Sequence, residues 1–266
     1  PSRTMRAAQK LYEAGHITYM RTDSSTISHA AQKSILGYID KKYGNSFVES
    51  RVFKTKSKGA QEAHEAVRPT DISKENIKLG RDEEMLYKLI HARTVASQMS
   101  DAKVERTHID IGNQKLSHLL SLDGQKIVFA GWLKHDPDGS GSDVILPAIE
   151  IGDRCELEKI EIVDKETSPP NRFSQAGLIK ELEKRGIGRP STYASIISTI
   201  ETRDYVTVEN KALKPTDTGM VVSGFLEDNF MQYISDDFTA EMEDSLDDIA
   251  DGKKEYKKVL EDFYKP

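Results

Sequence analysis

The chain has 266 residues, 37% of them hydrophobic and 31% charged, with 38 Lys and Arg against 44 Asp and Glu for a formal net charge of −6. No apolar run approaches a membrane span, and the N-terminus lacks the apolar stretch of a secretory signal. A single cysteine, Cys155, excludes an internal disulfide and a cysteine-based zinc cluster, which fits a reducing cytoplasm.

Residues 2–14 are expected to form a helix, because Met5, Ala8 and Leu11 recur at helical spacing and Gly15 ends the run. His16 to Met20 then reads as extended. On an extended backbone Tyr19 and Arg21 face one side, with Thr18, Met20 and Thr22 on the other. A second helix is expected over residues 28–42, stopped at Gly44. Residues 49–59 read as a polar loop whose Arg51, Lys54, Lys56 and Lys58 have no acid among them. A long helix follows over residues 82–99, with Met85, Leu86, Leu89, Ile90 and Val95 as its apolar stripe.

Near Asp101 the period changes. Short alternating runs over 104–111, 115–122, 125–132 and 155–163 read as strands. Turns at Gly112-Asn113 and Asp123-Gly124 separate the first three, since Asp-Gly between alternating runs is a hairpin signal. Residues 136–142 read as a flexible loop. Trp132 is assigned to core packing, and Cys155 to a small packing position on a strand. Pro169-Pro170 marks the next boundary. Helices are expected at 174–185 and 191–202, a strand pair at 205–208 and 212–214, and further helices at 216–229, 239–250 and 254–264. Two helices joined by a glycine-bearing turn and followed by a small hairpin form the pattern of a winged helix-turn-helix.

Charge is unevenly spread. Arg3, Arg6, Lys10 and Arg21 face only Glu13 as a local counterweight. Between Lys214 and Lys253 there is no Lys or Arg, while acids accumulate. That acidic end reads as solvated helix faces that repel phosphate, not as a contact to nucleic acid.

The chemistry concentrates in three strings. The first is Gly15-His16-Ile17-Thr18-Tyr19-Met20-Arg21-Thr22-Asp23-Ser24. A phenol with a guanidinium beside it suits attack on a phosphodiester: the tyrosine forms a covalent phosphoryl link and the arginine stabilises charge on the phosphate oxygens. Free tyrosine has a pKa of about 10, so its proton must be taken or its phenolate stabilised. A Tyr-x-Arg triplet alone is ordinarily a half-buried ring beside a surface charge. The second string is Gln61-Glu62-Ala63-His64-Glu65-Ala66-Val67-Arg68-Pro69-Thr70, in which Glu62 and Glu65 are candidate partners of Arg68. The third is Gly186-Ile187-Gly188-Arg189-Pro190-Ser191-Thr192-Tyr193-Ala194. It lacks the third glycine of a dinucleotide fingerprint. Pro190-Ser191-Thr192 reads as a helix start, where free N–H groups attract phosphate. Arg189, Ser191 and Thr192 are the candidate phosphate contacts, although Ser191 also suits a plain helix cap. Tyr193 is assigned to the core. Asp23 reads equally as a partner that positions Arg21 or as an ordinary turn residue. Arg203 and Lys211, near the wing, read equally as backbone contacts and as solvated surface.

Together the three strings resemble the core of the type IA DNA topoisomerases, on the bacterial topoisomerase I branch, over most of the chain. Met20 points to that branch, as does the His64-Glu65-Ala66-Val67-Arg68-Pro69 form. The resemblance implies an α+β multidomain protein, part of the type IA toroid: a winged-helix-like (CAP-like) catalytic tyrosine domain over 1–102 that moves as a gate, a β-rich hinge arm over 103–171, and a helical winged-helix-like domain over 172–266. It implies Tyr19 as the nucleophile, linked to a DNA 5′-phosphate, with Arg21 beside it. His64 would hydrogen-bond the scissile phosphate or the developing phenolate. The expected substrate is single-stranded and underwound DNA, relaxed without ATP. The resemblance also implies an N-terminal domain, absent here, that binds Mg2+ through an acidic triad. This chain is therefore expected to be a fragment, to bind no catalytic metal, and to be inactive alone in relaxation. A non-catalytic winged-helix DNA-binding protein is the alternative, and would leave the Tyr19 string unexplained. A tyrosine recombinase or type IB-like enzyme would place its tyrosine near the C-terminus, not near the start.

Overall fold

The computed structural model describes residues 1–53, 64–112, 118–137 and 143–265. Gln61, Glu62, Lys54, Lys56, Lys58, Asn113 and most of the 136–142 loop lie outside the described residues.

Helices α1 (Ser2–Glu13), α2 (His29–Tyr43) and α3 (Arg81–Ser97) build the first part. α1 ends because Gly15 takes φ 73°, where a side chain is disfavoured. The Gly15 N–H then donates to the Tyr12 carbonyl at 2.9 Å, and the His16 N–H to the Leu11 carbonyl at 2.9 Å. This pair of bonds satisfies two of the carbonyls a helix end leaves open and reverses the chain onto its own last turn.

Two apolar cores lie on either side of α3. Leu11, Ile17, Ile77 and Tyr87 form one, with Met20, Val67, Leu86 and Ile90 packed against it. Ile35, Ile39, Ile72, Val95 and Met99 form the other, joined by Trp132. The expected stripe of α3 is only partly the buried one. Met85 and Leu89 are exposed, whereas Tyr87, His91, Thr94 and Val95 are buried. The polar atoms find partners in the 72–74 backbone: the Tyr87 hydroxyl donates to the Lys74 carbonyl at 2.6 Å, and His91 Nε2 meets the Ile72 carbonyl at 2.9 Å. With those bonds made, two amphipathic rings stand inside where the hydrophobic pattern pointed one step away.

The arm is an antiparallel pair, β1 (Lys103–Ile111) and β2 (Leu120–Phe129), in register from Val104 opposite Ile127 to Ile111 opposite Leu120, with an irregularity before Val104 that sets Lys103 opposite Phe129. Asp123-Gly124 is therefore not a turn; it lies inside β2, with Asp123 opposite His108 and Gly124 opposite Thr107. The glycine serves a close approach. A Cβ on Gly124 would stand 2.5 Å from Leu146 Cγ and 2.9 Å from the Val144 carbonyl oxygen. Next to it, Gln125 and Val144 exchange two backbone hydrogen bonds of 2.9 Å. The expected strand over 125–132 also ends early, at Phe129, where the chain enters a 3-10 turn at Gly131–Lys134. Residues 155–163 form no strand, and Cys155 is exposed. Their alternation is present, but no neighbour among the described residues takes their hydrogen bonds, and a strand needs one.

Residues 129–136 fold back across the expected boundary at 102/103. Phe129 meets Phe47 with ring centres 4.9 Å apart, and the Trp132 N–H donates to the Ser100 carbonyl at 2.9 Å. Asp136 pairs with Arg93 at 3.2 Å, and His135 Nδ1 lies 2.6 Å from the Tyr43 hydroxyl.

The last part holds α4 (Gln175–Lys184), α5 (Tyr193–Thr202), a hairpin of β3 (Val206–Glu209) and β4 (Ala212–Pro215), α6 (Asp217–Ile234), α7 (Asp236–Ala250) and α8 (Tyr256–Tyr264). Asn210 and Lys211 both take positive φ, the backbone demanded by a tight two-residue hairpin loop. Ser174, Thr216 and Ser235 cap α4, α6 and α7, each accepting a backbone N–H three residues on. α6 breaks its helical geometry at Phe230. Helices and small sheets together make an α+β chain, and α5 packs against α1. No helix among the described residues is long and apolar enough to cross a membrane.

His135 supplies a test of the fold-back. Burial, chiefly, pushes its imidazole down to about 4, with His91 and Lys42 adding in the same direction. A depressed histidine contributes stability above its unfolded value of about 6.5, and that stability is lost as pH falls towards the folded value. The melting temperature is expected to drop between pH 6.5 and 4 more steeply in the native chain than in His135→Gln. Parallel thermal-melt profiles would contradict this.

Candidate active site

The first two strings are sewn together by backbone bonds. Ile17 bridges Pro69 in antiparallel fashion. The Thr18 N–H donates to the Arg68 carbonyl at 2.9 Å, and the Thr70 N–H to the His16 carbonyl at 3.0 Å. The Thr18 hydroxyl donates to the Ala66 carbonyl at 2.7 Å and accepts from the Arg68 N–H at 3.0 Å. At the edge, the Thr70 hydroxyl donates to the Gly15 carbonyl at 2.6 Å, and the Ala66 N–H to the Thr26 carbonyl at 2.8 Å. The segment expected to be extended over His16 to Met20 is thus only a single bridge with flanking bends, because its partner runs beside it for only a few residues. Thr18 and Met20 turn inward, Met20 into the apolar core.

This stitching sets Tyr19 beside His64. Their ring centres are 4.9 Å apart at an interplanar angle of 38°. The Tyr19 ring also meets the Tyr12 ring in a T-shaped contact, with centres 5.3 Å apart at 71°. Tyr19 and His64 are both half-buried. Glu65 pairs with Arg68 at 2.8 Å and accepts the Ser28 N–H at 3.2 Å. The Arg68 hydrogen bond, foremost, holds the Glu65 carboxyl below the usual carboxylate range. Arg68 is therefore engaged within the fold, not offered to a ligand.

Of the four cations Arg3, Arg6, Lys10 and Arg21, the fold neutralises two. Arg3 makes a two-pronged pair with Asp82, both bonds at 2.6 Å, and Lys10 reaches Glu83 at 2.9 Å. Sequence proximity to Glu13 alone missed these acids, which arrive on α3. Arg51 likewise pairs with Glu49 at 2.9 Å and Asp101 at 2.7 Å. Arg21, two residues on from Tyr19, is exposed and forms no ion pair or hydrogen bond among the described residues.

The third string reaches the first through Tyr193. The half-buried Tyr193 hydroxyl is pushed up mainly by burial and also by nearby carboxylates, Asp23 among them. Gly186 and Gly188 take φ 74° and 81°, and a Cβ on Gly188 would stand 3.1 Å from the Tyr193 ring. α5 begins at Tyr193, later than expected, with Thr192 at its start and Ser191 exposed. The Thr192 hydroxyl accepts the Arg189 N–H at 2.9 Å, fixing the turn.

Arg189 points elsewhere than expected. Its guanidinium donates to the Gly188 carbonyl at 2.8 Å and to Asp247 at 2.7 Å, with Glu243 and Asp244 both at 3.9 Å. The acidic helix α7, expected to be a solvated face, thus turns part of that face onto Arg189. Other α7 acids bind cations too: Asp236 pairs with Arg185, and Asp248 holds Lys254 at 3.2 Å. The charge run is legible in sequence; its partners, some 60 residues upstream, are not.

No three His, Cys, Asp or Glu side chains among the described residues converge in a way that holds a metal ion. A cavity of about 740 Å³ lies instead along β1, between Thr107 and Gly112 on one side and 146–153 on the other, remote from Tyr19 in sequence and fold.

Residues 1–261 match the family described as DNA topoisomerase. DNA topoisomerase 1 of Escherichia coli is 45% identical over 268 residues, covering 98% of this chain and 31% of that protein. The Zymomonas mobilis enzyme of the same name is 42% identical over 275 residues, covering 99% of this chain and 23% of the relative. Among solved structures, full-length topoisomerase I from Thermotoga maritima superposes with a TM-score of 0.83 at 33% identity, covering 98% of this chain and 44% of that one. The chain therefore spans about a quarter to a third of the length of these curated relatives.

Thr18 carries a test of the stitching. Thr18→Val keeps the shape but leaves the Ala66 carbonyl and Arg68 N–H without their partner, which costs about 1–3 kcal/mol. Urea unfolding should show that loss, with Thr18→Ser recovering most of it. An unchanged midpoint in Thr18→Val would contradict the ladder.

Proposed function

This chain belongs to the type IA DNA topoisomerase family, and we propose that it carries the strand-cutting tyrosine of a longer enzyme that relaxes negatively supercoiled DNA. The observation that supports this reading most is the position of Tyr19 beside the His64 ring, with Arg21, unpaired among the described residues, two residues on. The Tyr19 oxygen attacks the phosphorus of a single-strand phosphodiester. The bond from phosphorus to the 3′-oxygen breaks, leaving a 5′-phosphotyrosine ester. The phenol proton is given up, and a proton ends on the released 3′-hydroxyl. One ester replaces another, so resealing needs no ATP, and torsional strain drives net relaxation.

Arg21 would stabilise charge on the non-bridging phosphate oxygens as it builds. His64, whose ring stands beside that of Tyr19, would hydrogen-bond the scissile phosphate or the developing phenolate. Asp23 would hold the junction between the first and third strings. Ser191 and Thr192, at the open N-terminus of α5, would contact phosphate. Arg189 would join them by exchanging Asp247 for a phosphate oxygen. Mg2+ would bind in the whole enzyme on a segment outside this chain, and no step above is routed through it. Strand passage would use movement of the tyrosine-bearing part as a gate, in the bacterial cytoplasm at the nucleoid.

The direct test combines this chain with its parent's metal-binding segment, Mg2+ and end-labelled single-stranded DNA, followed by denaturation. A 5′-linked protein–DNA adduct should form, vanish in Tyr19→Phe, and form roughly a hundredfold or more slowly in Arg21→Ala. An adduct in Tyr19→Phe, or a 3′ linkage, would overturn the reading. DNA binding without any adduct, in the full-length parent as well, would favour a non-catalytic winged-helix binder. The chain by itself should bind single-stranded DNA with an affinity that falls with salt, because bound cations displace counterions. It should not relax plasmid; multiple-turnover relaxation by the chain alone would contradict that.

A further inference from the structure

We propose that Tyr12 is a positioning residue for the Tyr19 nucleophile: the T-shaped contact of its ring fixes the direction from which the Tyr19 oxygen meets the phosphate. This inference rests on the assignment of Tyr19 as the nucleophile. Nothing in the first string marks Tyr12, which lies outside it, on the last turn of α1. The fold makes it a neighbour. Gly15, at φ 73°, and the paired bonds from Gly15 and His16 back to Tyr12 and Leu11 reverse the chain, so that residue 19 returns onto residue 12.

Three observations argue that the contact orients the ring and does more than fill space. First, Tyr12 is 41% exposed, so it is not a core residue whose burial explains its presence. Second, the geometry is edge-to-face, 5.3 Å between centres at 71°, the arrangement in which a positive ring edge meets a negative ring face. Third, the Tyr19 ring has a second ring neighbour, His64, at 4.9 Å. A ring with two aromatic neighbours has less freedom about its χ1 and χ2 bonds than a ring that keeps only His64. Leu11, the neighbour of Tyr12 in sequence, is fully buried and anchors the turn of α1 from which Tyr12 projects. The clamp is therefore fixed to the same core that holds Ile17 and Met20.

For an attack that must be in line with the leaving oxygen, misplacement of the nucleophile by about 1 Å costs up to about a hundredfold in rate. Removing the edge should therefore slow cleavage without weakening DNA binding. The experiment measures single-turnover adduct formation and single-stranded DNA affinity in the full-length enzyme for the native form, Tyr12→Leu, Tyr12→Met, Tyr12→Phe and Tyr19→Phe. Expected is a roughly ten- to hundredfold slower adduct formation in Tyr12→Leu and Tyr12→Met, with affinity and melting temperature near native, and recovery in Tyr12→Phe, which keeps the ring. Native rates in Tyr12→Leu or Tyr12→Met would overturn the proposal while leaving the nucleophile in place. Loss in Tyr12→Phe equal to that in Tyr12→Leu would also overturn it, because the hydroxyl and not the ring edge would then be responsible. Adduct persisting in Tyr19→Phe would instead overturn the nucleophile assignment itself. If Tyr12→Leu fails to fold, Tyr12→Met and Tyr12→Phe decide the matter. A second readout uses this chain alone with ring-labelled tyrosine: NMR should show the Tyr19 ring flipping faster in Tyr12→Met than in the native chain or Tyr12→Phe, and equal flipping rates would overturn the clamp.

Discussion

The site depends on one short ladder. Thr18 binds the 66–68 backbone from both its N–H and its hydroxyl, Thr70 closes the other end, and Ile17 and Pro69 bridge between them. Without it, two segments separated by more than 40 residues have no reason to lie side by side, and the phenol and imidazole do not meet. Each bond is worth only about 1 kcal/mol net, but leaving a buried partner unmet costs more, so the ladder holds or fails as a unit. It is also anchored. Ile17 lies in the Leu11, Ile77 and Tyr87 core, so the segment that carries Tyr19 is fixed from beneath.

Around that anchor the fold sorts its cations. Arg3, Lys10, Arg51, Arg68, Arg185 and Arg189 are each matched to carboxylates. Arg21, like Arg6, has no such partner among the described residues. In a chain with net negative charge, an unmatched guanidinium two residues from a phenol is informative in a way the raw basic count is not. The pairing of Arg189 with α7 adds a constraint on any phosphate role for the third string: the acids of α7 and a phosphate compete for the same guanidinium. Partial burial of Arg189 raises the cost of leaving it without one or the other.

Much of this was legible in the sequence, and the failures have physical causes. Helix positions followed from periodicity and from punctuation by Gly15 and Gly44, and the small hairpin from its own alternation. The buried face of α3 was misjudged because Tyr87 and His91 become core residues only when the 72–74 backbone accepts their polar atoms. Asp123-Gly124 imitated a turn because the same residue that permits a hairpin also permits another strand to press close, and only the position of Val144 and Leu146 distinguishes the two. The strand expected over 155–163 failed because alternation is a property of one segment and a sheet is a property of two. At the site, residue types in short strings named Tyr19, Arg21 and His64, whereas Tyr12, Thr18 and Asp247 owe their places to chain reversal and long-range contact, which no local pattern encodes.

The most direct test of the account is to locate the covalent bond itself. The trapped protein–DNA adduct from the full-length enzyme is digested with trypsin, trimmed with nuclease, and the nucleotide-bearing peptide fragmented in a mass spectrometer. The peptide running from Leu11 to Arg21 contains both Tyr12 and Tyr19, so fragmentation must choose between them. The account predicts a phosphoryl mass on Tyr19, joined to the 5′ end of the DNA, with Tyr12 unmodified. A phosphoryl group on Tyr12 or on any other residue would contradict it.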